Sequence, residues 1–120
     1  MPYTIQQQPK VLLVVIQAPL TNGEFATLRD AVASHVTEGQ SVGVVVDVSA
    51  LDVIDSLAVR TFHDLARLSR LGGAETVVAG IRPEVAFVMD KLGVTLPDVA
   101  IVHDLHDAIA YLERTIREER

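Results

Sequence analysis

Residues 42–70 read VGVVVDVSALDVIDSLAVRTFHDLARLSR. Val42 to Val48 is a short run apolar on both faces, the pattern of a strand buried on both sides of a sheet. A loop carrying Asp52 and Asp55 follows. Helical periodicity then begins, with Ala58, Phe62, Leu65 and Leu68 on one face and Arg60, His63, Asp64, Arg67 and Arg70 on the other. Ser56 stands in the first turn of that helix. Helix N-termini carry unpaired N–H donors and a positive dipole end, so a hydroxyl there is well placed to bear a phosphate. Serine and aspartate are also ordinary helix-start residues, and either Asp55 or Ser56 can serve as the cap.

Working outward, Tyr3 to Gln6 reads as a short first strand, Gln7 to Pro9 as a turn, and Val11 to Ile16 as a central strand. Pairing across that turn makes the sheet mixed. Thr21 and Glu24 have capping-box spacing, and Phe25, Leu28, Val32 and Val36 share the helical face behind them. Gly39 is expected to end this helix in the left-handed conformation. On the other side, Gly72 and Gly73 end the Ser56 helix, and Thr76 to Ala79 is a third core strand. Pro83 opens a helix expected to turn Val85, Val88 and Leu92 inward, and Gly93 stops it. Val99 to Val102 is a last strand. Asp104 caps a final helix with Leu105, Ala108, Ile109, Leu112 and Ile116 on one stripe, and the charged end from Glu113 is expected to fray.

The alternation predicts an α/β fold, a single domain over residues 1–120, with a mixed, mostly parallel sheet layered by about four helices. In such sheets, function gathers where loops leave the carboxyl ends of the strands. Three loops are expected on that rim: Gln17 to Asn22, Ser49 to Asp55, and Gly80 to Arg82.

With 10 Lys and Arg against 16 Asp and Glu, the formal charge is −6, and no basic stripe offers a nucleic-acid surface. The chain has no cysteine, which excludes disulfides, thiolate nucleophiles and cysteine-bound metals. The N-terminus lacks a charged, apolar leader pattern, and no apolar run approaches the roughly 20 residues that span a bilayer. A cytoplasmic domain without membrane partners is expected.

Asp47, Asp52 and Asp55 invite comparison with a Mg²⁺ or aspartyl-phosphate pocket, but the loop after Val11 to Ile16 has no carboxylate near the strand end. The HDLHD segment at 103–107 has two histidines at i, i+3 and no third ligand nearby, so no metal or other cofactor is expected. His35 and His63 read as surface residues. Ser56, His63 and Asp64 do not form a triad, because His63 lies two turns along the helix from its mouth. No G-x-S-x-G, G-x-G-x-x-G or Walker pattern occurs. Arg82, on the same rim, reads equally as a partner or phosphate contact and as a solvated helix-start residue.

The segment DVSALDVIDS, 47–56, resembles the signature of the STAS domain family, the anti-sigma-factor antagonists. IDS at 54–56, RLGGA at 70–74 and GIRPEVA at 80–86 resemble its stressosome branch, and the segments follow the family's order from Val11 to Leu112. The resemblance implies a non-enzymatic regulator. Ser56 matches the residue phosphorylated by an RsbT-type serine kinase. The unmodified protein would hold that kinase in a scaffold with RsbR-type paralogues, phosphorylation would release it, and an RsbX-type phosphatase would reset the serine. A homo-oligomer within a larger hetero-complex is expected. Asp55 matches a motif position beside the acceptor, and Asp52, Asp55 and Arg82 are the expected partner-contacting rim. RsbR-type chains carry an additional N-terminal domain and tend to carry an acceptor threonine in the helix after GIRPE. This chain shows neither feature, which resembles the RsbS type. Leu57, Ala58 and Val59 stand where generic anti-sigma antagonists have a glycine-containing segment, which also resembles the stressosome branch. Two further readings stay open: an antagonist that binds an anti-sigma kinase directly, and a small-ligand or metal-binding α/β domain using Asp52 and Asp55.

Overall fold

The computed structural model describes residues 2–39, 41–96 and 99–118. Its elements run β1 (Tyr3–Gln7), β2 (Val11–Ile16), α1 (Asn22–Glu38), β3 (Gly43–Asp47), α2 (Ser56–Leu71), β4 (Glu75–Ala79), α3 (Pro83–Lys91), β5 (Ala100–Val102) and α4 (Leu105–Glu118). The five strands form one sheet in the order β1-β2-β3-β4-β5. β1 pairs antiparallel with β2, from Tyr3 opposite Ile16 to Gln7 opposite Leu12, and the other three pairings are parallel. The Gln8 N–H bonds the Val11 carbonyl at 2.9 Å, closing the turn that carries Pro9. The expected α/β fold with a mixed, mostly parallel sheet and four helices is the fold observed.

Strand side chains alternate between two faces. Leu12, Val14, Ile16, Val44, Val46 and Val78 point to one face, where they join Phe25, Leu28 and Val32 of α1 and Phe62 and Leu65 of α2 in the main core. Val45, Val77 and Ala79 point to the other face and meet Ala108 and Leu112 of α4. The outer strand positions on this second face are less covered, so β2 alternates half-buried with fully buried residues.

Local chemistry sets the boundaries. Thr21 and Glu24 close the expected capping box, with Glu24 N–H to Thr21 Oγ1 at 3.1 Å and Thr21 N–H to Glu24 Oε1 at 2.8 Å. Asp104 accepts from the Asp107 N–H at 2.8 Å and caps α4. Gly39 departs from expectation. It is extended, at φ −99° and ψ −170°, and α1 ends through its N–H bonding the His35 carbonyl.

The orientation of α3 also departs from expectation. Val85 and Met89 are buried, whereas Val88 and Leu92 are 50% and 73% exposed. Val85 and Met89 lie one helical turn apart and use the packing surface available, which leaves Val88 outside it. Leu68, expected inward, lies at the edge of the α2 face and is partly exposed.

Gly43 permits the second face to close. A Cβ there would lie 2.5 Å from Leu112 Cδ1 and 3.1 Å from Leu112 Cγ, so the buried Leu112 side chain would have to shift to admit it. Gly43→Ala is therefore expected to destabilise the fold by about 1–3 kcal/mol through overpacking. Chemical denaturation of the two proteins measures this. An unchanged midpoint and slope would show that α4 does not hold that position.

Candidate functional site

The parallel registers align Val15, Asp47, Ala79 and Val102 in one row across the carboxyl edge of the sheet. Chain leaving β3 and β4 at that row builds the site. The Val48 N–H extends the ladder to the Ala79 carbonyl at 3.0 Å. Asp47 Oδ1 then accepts the Ser49 N–H at 2.9 Å, an Asx-type bond that turns the chain out of the sheet. Leu51 N–H to the Val48 carbonyl at 3.0 Å completes the turn, and Leu51 and Ile54 anchor the loop in the main core. Gly80 sits against this turn at φ +85°, and a Cβ on it would meet Ser49 Cβ at 3.0 Å and Asp47 Oδ1 at 3.3 Å. Only glycine combines that dihedral with that approach.

Arg82 fastens the two loops. Its Nη2 donates to the Leu51 carbonyl at 3.0 Å and to Asp52 Oδ1, and its Nη1 lies 3.4 Å from Glu84 Oε1. Its Nε is enclosed with no hydrogen-bond partner among the described residues. Arg82 is thus neither a free cation nor a simple solvated residue. It is a tie between the β3–α2 and β4–α3 loops, with its charge offset by two carboxylates.

Asp55 is the N-cap of α2. Its Oδ1 accepts from the Ala58 N–H at 2.9 Å, and its backbone is extended at φ −90°. This resolves the alternative left by the sequence, and it leaves Ser56 as the first helical residue. Ser56 is exposed, and its hydroxyl makes no hydrogen bond among the described residues. A cleft of about 210 Å³ opens beside it, with Val53 and Ile54 on one wall and Val88, Met89 and Leu92 on the other. Sequence reasoning missed this cleft. Its only trace in the sequence is the excess of apolar residues in FVMDKL, 87–92, over what one helix face needs.

The remaining candidates are dispersed. Asp47, Asp52 and Asp55 each serve a different partner: the Ser49 N–H, Arg82 and the Ala58 N–H. Among the described residues, no group of three His, Asp or Glu side chains gathers to hold a metal ion. His63 lies about 10 Å along the α2 axis from Ser56, at 1.5 Å per residue. It was expected to face solvent, but it is half-buried, with Nδ1 enclosed and without a partner among the described residues. His103 and His106 are exposed beside the Asp104 cap. No helix among the described residues is long and apolar enough to cross a membrane.

The sequence profile of the STAS domain family matches residues 3–108. The RsbT co-antagonist protein RsbRA of Bacillus subtilis is 32% identical over 92 residues, covering 76% of this chain and 34% of that protein. This chain spans between about a quarter and a third of the length of the RsbR proteins it matches. Among solved structures, a serine-to-glutamate variant of RsbS from Moorella thermoacetica superposes with a TM-score of 0.79 at 25% identity, covering 98% of this chain and 99% of that one. A chain of the stressosome, described as a signal integration and transduction hub, gives a TM-score of 0.75 at 27% identity, covering 95% and 99%.

Removing the tie should act locally, because the Asp52 side chain is 87% exposed and exposed pairs contribute roughly 0–1 kcal/mol. Arg82→Gln is expected to leave the global unfolding free energy within about 1 kcal/mol while accelerating amide exchange across residues 49–55. Exchange in that loop indistinguishable from wild type would show that Leu51 and Ile54 hold it unaided. Asp55→Ala should cost about 1 kcal/mol, the usual worth of an N-cap, read by thermal or chemical melting.

Proposed function

The chain belongs to the STAS domain family, and from that premise we propose that it is a non-enzymatic regulatory scaffold switched by phosphorylation of Ser56. Unmodified, it holds an RsbT-type serine kinase within a stressosome-like complex containing RsbR-type paralogues. Modified, it lets the kinase go, and an RsbX-type phosphatase restores the hydroxyl. The observation carrying this reading is the exposed Ser56 hydroxyl at the first position of α2, without a hydrogen bond among the described residues. The likeness to RsbS and to a stressosome chain over nearly the whole length supports the choice of branch.

The chemistry suits a switch. Ser56 Oγ attacks the γ-phosphorus of ATP, its proton leaves to the kinase's base, and the bond to ADP breaks. The product carries nearly two negative charges. First-turn N–H groups of α2 and its dipole favour that charge, whereas Asp52 and Asp55 oppose it. Asp52 opposes it less than a free carboxylate would, because Arg82 already neutralises it. The modification therefore changes the charge and shape of a surface without touching the core.

Incubating the protein with its RsbT-type kinase and ATP, followed by peptide mass spectrometry, is expected to place one phosphate on Ser56. In pull-downs, Ser56→Ala should still hold the kinase and resist release by ATP, while Ser56→Asp should lose it. Equal binding by both variants would overturn the switch.

A further inference from the structure

The sheet is covered unequally. α1, α2 and α3 close one face in the main core. On the other face, α4 lies over β3, β4 and β5, with no comparable packing on β1 or β2 among the described residues. Yet β2 is apolar on both faces. Leu12, Val14 and Ile16 enter the main core, whereas Val11 and Leu13 turn to the second face and are only half-buried. A strand in parallel pairing is normally covered on both sides, which is why its sequence lacks polar alternation. One copy of the chain leaves part of that cover missing.

The gap is a groove of about 670 Å³ between the β1–β2 hairpin and α4. Val11 and Leu13 form its floor, and Leu105, Ile109 and Ile116 of α4 form a wall. Leu105 is 43% exposed, and Ile109 and Ile116 are half-buried. A grouped apolar surface of this kind commonly marks a partner. Two ionised side chains border it, Lys10 on the hairpin and Glu113 on α4. Both are exposed, and neither makes an ion pair among the described residues.

Those charges indicate the occupant. The chain carries −6 overall, so most approaches of one copy to another are opposed by charge. This groove instead offers one charge of each sign beside an apolar strip. Such a patch is complementary to itself under a twofold rotation, which sets the cation of each copy against the anion of the other. A border of one sign would have called for a partner of opposite charge.

We propose that this groove is an isologous contact in which two copies of the chain meet across a twofold axis, Lys10 of each facing Glu113 of the other, with the apolar strips closing on one another. The contact goes beyond the Ser56 switch and does not depend on it. The groove shares no lining residue with the cleft beside Ser56, and α2 packs on the opposite face of the sheet. Pairing through the second face therefore leaves the hydroxyl open to its kinase.

Sedimentation velocity of the purified full chain over a dilution series tests this. Wild type is expected to sediment as a dimer that dissociates on dilution. Lys10→Glu and Glu113→Lys should each weaken self-association roughly tenfold or more, because like charges then face one another twice. Mixing those two variants should restore the dimer, because in the mixed pair both contacts again join opposite charges. Leu105→Ser should weaken association, whereas Leu71→Ser, which removes an 85% exposed leucine at the far end of α2, should not. Both charged side chains are exposed, so melting should be unaltered, and phosphorylation of Ser56 by an RsbT-type kinase should proceed in every variant. Wild type that stays monomeric throughout overturns the contact and leaves the Ser56 switch standing. Single variants that associate like wild type, or a mixture that stays monomeric, place any dimer on another face and overturn it as well. If the charge variants instead lose binding to an RsbR-type paralogue while self-association is unchanged, the groove belongs to that paralogue and the proposal falls.

Discussion

The site depends on the approach of Gly80 to Ser49. Parallel pairing brings β3 and β4 to the same edge with Asp47 beside Ala79, but pairing ends there and the two loops must then share one space. They can do so because Gly80 has no Cβ and adopts φ +85°. Once the loops are side by side, Arg82 can reach the Leu51 carbonyl and Asp52, and the segment from 52 to 55 is held where it can start α2. A side chain at position 80 would push the loops apart, and the tie, the cap and the position of Ser56 would all move together.

The two faces of the sheet divide the work. α1 and α2 close the main core through many large side chains, and that face carries the loop anchors Leu51 and Ile54. The exposed hydroxyl is therefore mounted on the helix layer that closes the larger core. Its own surroundings are held by few contacts: the cap is a single carboxylate, the tie is an ion pair open to solvent, and α3 is held by two side chains. A regulatory surface gains from this arrangement, since modification can alter recognition without being opposed by refolding of the core.

Much of this was legible in the residues. VLLVVI and VGVVVDV announce buried strands because nothing polar interrupts either face, and the Thr21–Glu24 spacing announces a helix start that forms as written. The position of Ser56 followed from the period of the helix behind it. The orientation of α3 did not follow, because Val85, Phe87, Val88, Met89 and Leu92 make more than one face apolar and periodicity cannot choose between them. Nor did the Asp52–Arg82 pairing, which joins residues 30 apart through the proximity of two loops. The left-handed end expected at Gly39 did not form: its backbone is extended, and its N–H satisfies the His35 carbonyl instead.

Among the described residues, α4 alone covers the second face. α4 is fastened chiefly by Ala108 and Leu112, with Leu112 lodged against the bare backbone of Gly43. Its undocking would uncover Val45, Val77 and Ala79 while leaving the α1–α2 layer intact. Such an opening exposes less apolar surface than global unfolding, so α4 is the layer expected to open first. The terminal segment can then loosen and return while the opposite layer keeps its grip, and strain introduced at the chain's end need not propagate to the edge that carries the hydroxyl.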